Sequence, residues 1–184
     1  MNASILDTKS NLSPNQLDAV RLAVVGVGQV LRSDDGAGPA VIRRLRQLVG
    51  LDDNLLLIDA GHAPENVLGP IIRFGPTLII FIDVVQNGIA PGSIRWFDAI
   101  QAEETGGSTH TLSLKTLADY LTAETQAPVI ILGIAPLYME FVEELSKPVQ
   151  EAISEAADII TSYWRSATTA CSAISTGEIS VVRT

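Results

Sequence analysis

Short apolar runs punctuate the chain at Leu22–Val27, Leu55–Ile58, Leu78–Ile82 and Val129–Ile134. Each is of strand length, and continuous apolar character suits strands covered on both faces of a sheet. Helical spacing of apolar positions falls between them, over Pro39–Leu48, Leu112–Leu121 and Pro148–Trp164, with a shorter stretch over Pro64–Ile72. The segment Ser93-Ile94-Arg95-Trp96-Phe97 follows a Pro91-Gly92 turn and predicts one more short strand. Alternating strands and helices predict an α/β fold: a single-domain three-layer sandwich with a mostly parallel twisted sheet and helices on both faces. Residues 1–20 read as a flexible lead-in, 21–165 as the domain, and 166–184 as a flexible tail rich in small polar groups.

The first strand runs into Gly26-Val27-Gly28-Gln29-Val30-Leu31-Arg32-Ser33-Asp34-Asp35-Gly36-Ala37-Gly38-Pro39. A strand, a glycine turn and a helix suggest a dinucleotide site, but Leu31 stands where the third glycine of that fingerprint belongs. A phosphate site aims N–H groups at its anion. Two adjacent carboxylates repel phosphate and attract a cation instead. The plainer reading is that Asp34 or Asp35 caps the helix starting near Gly36, although one cap needs only one acid. Asp59 mimics a ribose-binding acid, and its plainer reading is likewise a helix cap.

In sheets of this class ligands bind beyond the carboxyl ends of the strands. The sequence puts Asp34 and Asp35, Asp59-Ala60-Gly61-His62, and Asp83 there. The glycine-rich segment Gly106-Gly107-Ser108-Thr109-His110-Thr111 precedes the third long helix. Asp83 ends an apolar run, where a carboxylate is costly unless it is paired, metal-bound or solvated. Carboxylates and an imidazole on one edge suit a borderline metal. His62 and His110 compete for that role, and pattern alone leaves both open. Trp96, Phe97, Tyr138, Phe141 and Trp164 read as packing, with Tyr138 and Phe141 alternatively flanking a partner groove. Cys171 reads as incidental.

Composition narrows the classes. With 47% hydrophobic and 18% charged residues the chain is globular. A net charge of −9 argues against nucleic-acid binding. No apolar run reaches the roughly 20 residues of a membrane span, so no membrane insertion is expected. A polar N-terminus and a single cysteine point to the cytoplasm.

The glycine turn with Asp34-Asp35-Gly36-Ala37-Gly38-Pro39 resembles the opening motif of the nickel–iron hydrogenase maturation proteases. Further matches follow in order: Asp59-Ala60-Gly61-His62-Ala63-Pro64-Glu65-Asn66, Ile80-Phe81-Ile82-Asp83, Pro91-Gly92-Ser93-Ile94-Arg95, Ser108-Thr109-His110-Thr111 and Leu132-Gly133-Ile134-x-Pro136. The branch that matures the large subunit of formate hydrogenlyase is the most similar. The resemblance implies that Asp35, Asp83 and His110 are the catalytic, metal-binding positions, which favours His110 over His62. It also implies an endopeptidase that removes a C-terminal extension from a nickel-loaded hydrogenase large-subunit precursor. The nickel is carried by that substrate, with none tightly bound at rest. A non-proteolytic nickel-site checkpoint or chaperone would need the same residues. Gln29, where most members carry asparagine, and Ala60, where a second glycine is common, depart from the family pattern without removing a ligand.

Overall fold

β1 (Leu22–Val27) is apolar throughout because it runs through the middle layer of the fold, with neighbours on both edges and both faces. A computed structural model of the chain describes residues 20–86, 88–98 and 114–175, with side chains to residue 169. Its sheet has five strands in the order β2-β1-β3-β5-β4. β2 spans Leu55–Gly61, β3 Leu78–Val84, β4 Ile94–Asp98 and β5 Val129–Ile134. All pairings are parallel except β4 against β5. The helices are α1 (Ala37–Val49), α2 (Leu68–Phe74), α3 (Leu114–Thr125) and α4 (Lys147–Ser175).

Alternation along the strands builds two cores. Leu22 and Val24 of β1 and Ile80 and Ile82 of β3 pack with α1 and α4. Ala23, Val25, Ile79 and Phe81 point the other way, onto α2 and α3. The three-layer α/β sandwich expected from the apolar runs is thus what forms. At about 25 cal/mol per Å² of apolar surface, these two cores supply the main driving force for folding.

Two elements differ from the pattern reading. β2 is an edge strand, and Leu55–Ile58 are only half-buried, whereas their apolar run suggested cover on both faces. One open edge is unavoidable there, and Arg46 donates to the Leu57 carbonyl across it. α4 continues past Trp164 to Ser175, through residues assigned to a tail. The small polar side chains do not break the helix because they bond back onto it. Ser166 Oγ donates to the Ser162 carbonyl, Thr168 Oγ1 to that of Trp164, and Thr169 Oγ1 to that of Arg165. Ala167 of the same stretch is buried. Among the described residues no helix is long and apolar enough to cross a membrane.

The start of α1 is pressed against the sheet through glycines. A Cβ on Gly38 would overlap the Val27 and Ile82 carbonyls, and one on Gly26 would overlap the Gly38 carbonyl. α1 therefore enters directly above the carboxyl ends of β1 and β3, and Asp35 and Asp83 are brought to one edge. Gly38→Ala is expected to cost about 3 kcal/mol or more, through overpacking against backbone that has no rotamer to change. Gly69→Ala, in α2 and facing only the Arg73 side-chain end, should gain about 0.5–1 kcal/mol. Urea unfolding of both variants checks the contrast.

Candidate functional site

The turn after β1 is built by backbone bonds before any side chain contributes. Gly28 N–H donates to the Gly61 carbonyl at 2.8 Å, joining the ends of β1 and β2. Gly28 has φ of 136°, and a Cβ there would collide with the Asp35 carbonyl. Arg32 N–H donates to the Gln29 carbonyl and Asp35 N–H to that of Arg32, closing a 3₁₀ turn over Ser33–Gly36. Leu31, at the third position of the dinucleotide fingerprint, therefore lies in a tight turn closed by the chain's own backbone bonds and is half exposed.

Within that turn Asp34 and Asp35 are both buried, yet their surroundings differ. Neither caps α1, whose N-cap is Gly36 with no side-chain bond. Asp34 is fully buried and accepts four hydrogen bonds. Leu137 N–H (2.8 Å), Tyr138 N–H (3.2 Å) and Ser146 Oγ–H (2.8 Å) reach Oδ2, and Ser146 N–H (2.7 Å) reaches Oδ1. All come from the connection between β5 and α4. Ser33 adds two more ties to it: its N–H donates to the Val142 carbonyl and its Oγ to that of Glu144, both at 2.6 Å. Those ties hold Ser33 at φ of 49°, a left-handed conformation costing a non-glycine residue about 1–2 kcal/mol.

Asp35 is supported far less. Its Oδ2 accepts the Gln29 N–H at 2.9 Å, and its Oδ1 accepts from none of the described residues. Gln29 thus serves the loop through its main chain, so the change from asparagine leaves this bond intact. No described lysine or arginine pairs with Asp34 or Asp35. A carboxylate at 3% exposure with one amide partner suits a site completed by a cation.

Asp83 is the last but one residue of β3 and is 1% exposed, so it is not a solvated strand end. Its Oδ1 accepts the Val84 N–H at 2.8 Å. In register it lies beside Gly133 of β5, and Ile82 lies beside Gly26 of β1. By alternation it shares the sheet face of Ile79 and Phe81, on which α3 packs.

The remaining candidates divide. His62 is exposed at the end of β2, and Asp59 accepts the Gly61 N–H in a local turn rather than capping a helix. His110 and its glycine-rich segment lie outside the described residues. Among the described residues no three His, Cys, Asp or Glu side chains group to hold a metal. Phe97 and Trp164 are core residues, whereas Phe141 is 82% exposed, with the Arg32 guanidinium over its ring. The part played by Ser33 and Ser146 has no local sequence signal, since their partners lie over a hundred residues away.

Asp34→Ala is expected to cost about 3 kcal/mol or more, because three buried donors and one hydroxyl lose their acceptor at about 1–3 kcal/mol each, partly relieved by water. Asp35→Ala should cost about 1 kcal/mol, having one bond to lose. Denaturant titration of both proteins checks the ranking.

The HycI-type family model described as "Hydrogenase maturation protease" matches residues 39–163. The hydrogenase 3 maturation protease of Escherichia coli K12 is 34% identical over 128 residues, covering 69% of this chain and 80% of that protein. The crystal structure of the [NiFe] hydrogenase maturation protease HycI from Thermococcus kodakarensis superimposes with a TM-score of 0.73 at 29% identity, covering 79% of this chain and 93% of that one. The solution structure of the endopeptidase HycI from E. coli gives 0.69 at 29% identity, with coverage of 78% and 91%.

Proposed function

The chain belongs to the hydrogenase maturation protease family, and from that premise we propose that it cuts the C-terminal extension from a hydrogenase large-subunit precursor, recognising nickel already held by that precursor. Its activity class, an endopeptidase acting in hydrogenase maturation, is that of its relatives. The observation that carries the finer reading is the pair of buried carboxylates, Asp35 and Asp83, at the edge where β1 and β3 end.

The donor set fits the ion. Two carboxylates and one imidazole, from Asp35, Asp83 and His110, are too few and too hard to satisfy nickel alone. Thiolates of the precursor would supply the softer ligands, so affinity belongs to the metal–precursor complex and not to free metal. His110 is favoured over His62 by the family resemblance, and topology agrees. It precedes α3, which packs on the face Asp83 shares, whereas His62 follows the edge strand and is exposed. Bound there, the ion would act as a Lewis acid toward the scissile carbonyl.

What the chain itself contributes is positioning. The Gln29 amide fixes one oxygen of Asp35. The Val84 amide fixes one of Asp83. Burial around both keeps water from competing and strengthens the attraction for a cation. A cytoplasmic site of action suits a chain with one cysteine.

Incubation with nickel-loaded and with metal-free precursor, followed by mass spectrometry, tests this. Only the loaded precursor should lose mass. Equal cleavage of both would overturn nickel recognition, and binding without any mass loss would make this chain a checkpoint rather than a protease. In the same assay His110→Ala should abolish processing while His62→Ala weakens it far less; equal and complete loss in both folded variants would overturn the choice of ligand.

A further inference from the structure

Eight large hydrophobic side chains are exposed among the described residues, and six of them fall on two segments: Val30 and Leu31 in the turn after β1, and Leu137, Tyr138, Phe141 and Val142 between β5 and α4. Their exposure runs from 36% at Tyr138 to 82% at Phe141. The segments are physically joined. Asp34 accepts from the Leu137 and Tyr138 amides, Ser33 N–H donates to the Val142 carbonyl, and the Arg32 guanidinium lies 5.3 Å from the centre of the Phe141 ring. The two segments that carry the six residues are thus held together by hydrogen bonds at Ser33 and Asp34 and by the Arg32–Phe141 contact. Beside Leu137 and Tyr138 a half-open depression of about 190 Å³ is lined also by Val85, Gln86, Ile89 and Pro136, room enough for one bulky side chain. Val85 follows β3 directly, two residues after Asp83, so the depression adjoins the carboxylate edge.

Contiguous exposed apolar surface on a soluble domain marks a place where something docks. The charges around it narrow what that is. Glu140, Glu143 and Glu144 are exposed along the same segment, in a chain of net charge −9. Of the nearby cations, Arg32 is directed at Phe141, and Lys147 begins α4. We propose that this face docks the precursor itself, through an apolar segment flanked by lysine or arginine side chains, with one bulky apolar residue entering the depression beside Tyr138. The proposal rests on the proteolytic reading above and adds to it where the substrate sits. Apolar anchors supply the affinity, and the glutamates steer and select basic flanks.

Initial rates on nickel-loaded precursor, with wild type and surface variants, test it. Phe141→Ser and Leu137→Ser should each raise KM at least about tenfold with kcat within about twofold, the mark of lost binding shared by ground and transition states. Leu51→Ser, which removes a still more exposed side chain ahead of β2 at the opposite end of the sheet, should leave both constants unchanged. The triple variant Glu140→Gln, Glu143→Gln, Glu144→Gln should raise KM about threefold or more at low salt, and its KM should rise less steeply with salt than that of wild type. All substitutions are at exposed positions, and thermal melts confirm folding. If wild type does not cleave, the proteolytic reading fails. If wild type cleaves and the face variants keep its KM, or lose kcat alone, the docking proposal fails while the proteolytic reading stands. A concentration-dependent dimer in sedimentation that Phe141→Ser dissolves, with KM unchanged, would assign the face to a second copy of this chain and overturn the proposal.

Discussion

A single desolvated carboxylate organises the working end of this molecule. Asp34 has no contact with water and no described cationic partner, so its charge is balanced by aligned N–H and O–H dipoles from a segment more than a hundred residues distant. Such an arrangement is all or nothing. Each donor would be costly to leave buried without an acceptor, and the acceptor would be costly to leave without donors. The turn after β1 and the connection before α4 therefore fold as one piece. Ser33 tolerates its left-handed backbone because the same connection holds it.

The neighbouring residue shows how one step along a chain can separate two roles. Asp34 faces into protein dipoles and is satisfied by them. Asp35 lies at the strand edge and engages one amide, and its other oxygen accepts from none of the described residues. The glycines make this possible by letting backbone stand where side chains would otherwise be. Gly26 and Gly38 bring α1 against β1, and Gly28 lets the Asp35 carbonyl approach the start of the turn. The placement of the two carboxylates and the packing of α1 are thus set by the same few residues.

Much of this was readable in the sequence because the signals are local. The apolar runs of β1 and β5 match the observed strands, and the glycine turn leads into α1 as the spacing indicates. What was not readable depends on residues far apart. Nothing near Asp34 announces that its partners are Leu137, Tyr138 and Ser146, so a helix cap was the natural local reading. The run Leu55–Ile58 looks like a central strand because leucine and isoleucine do not reveal whether a neighbour covers them on the outside. The serines and threonines after Trp164 look like a tail because composition hides hydroxyls that bond back to their own helix. The choice between Asp35 and Asp34 as a ligand, and of His110 over His62, came from the family resemblance and not from pattern. His110 itself lies outside the described residues.

The amides that Asp34 engages have a bearing on catalysis as well as on folding. Proteases commonly stabilise the negatively charged tetrahedral oxygen with main-chain N–H groups aimed at it. Here the Leu137 and Tyr138 amides, which adjoin the apolar face, already point inward at a carboxylate, and the Gln29 amide points at Asp35. These three donors are therefore committed before any peptide arrives. An oxyanion formed beside them could not draw on these three amides without stripping a buried carboxylate of its donors, so the dipoles that hold this end of the molecule together are closed to the chemistry of a peptide bond.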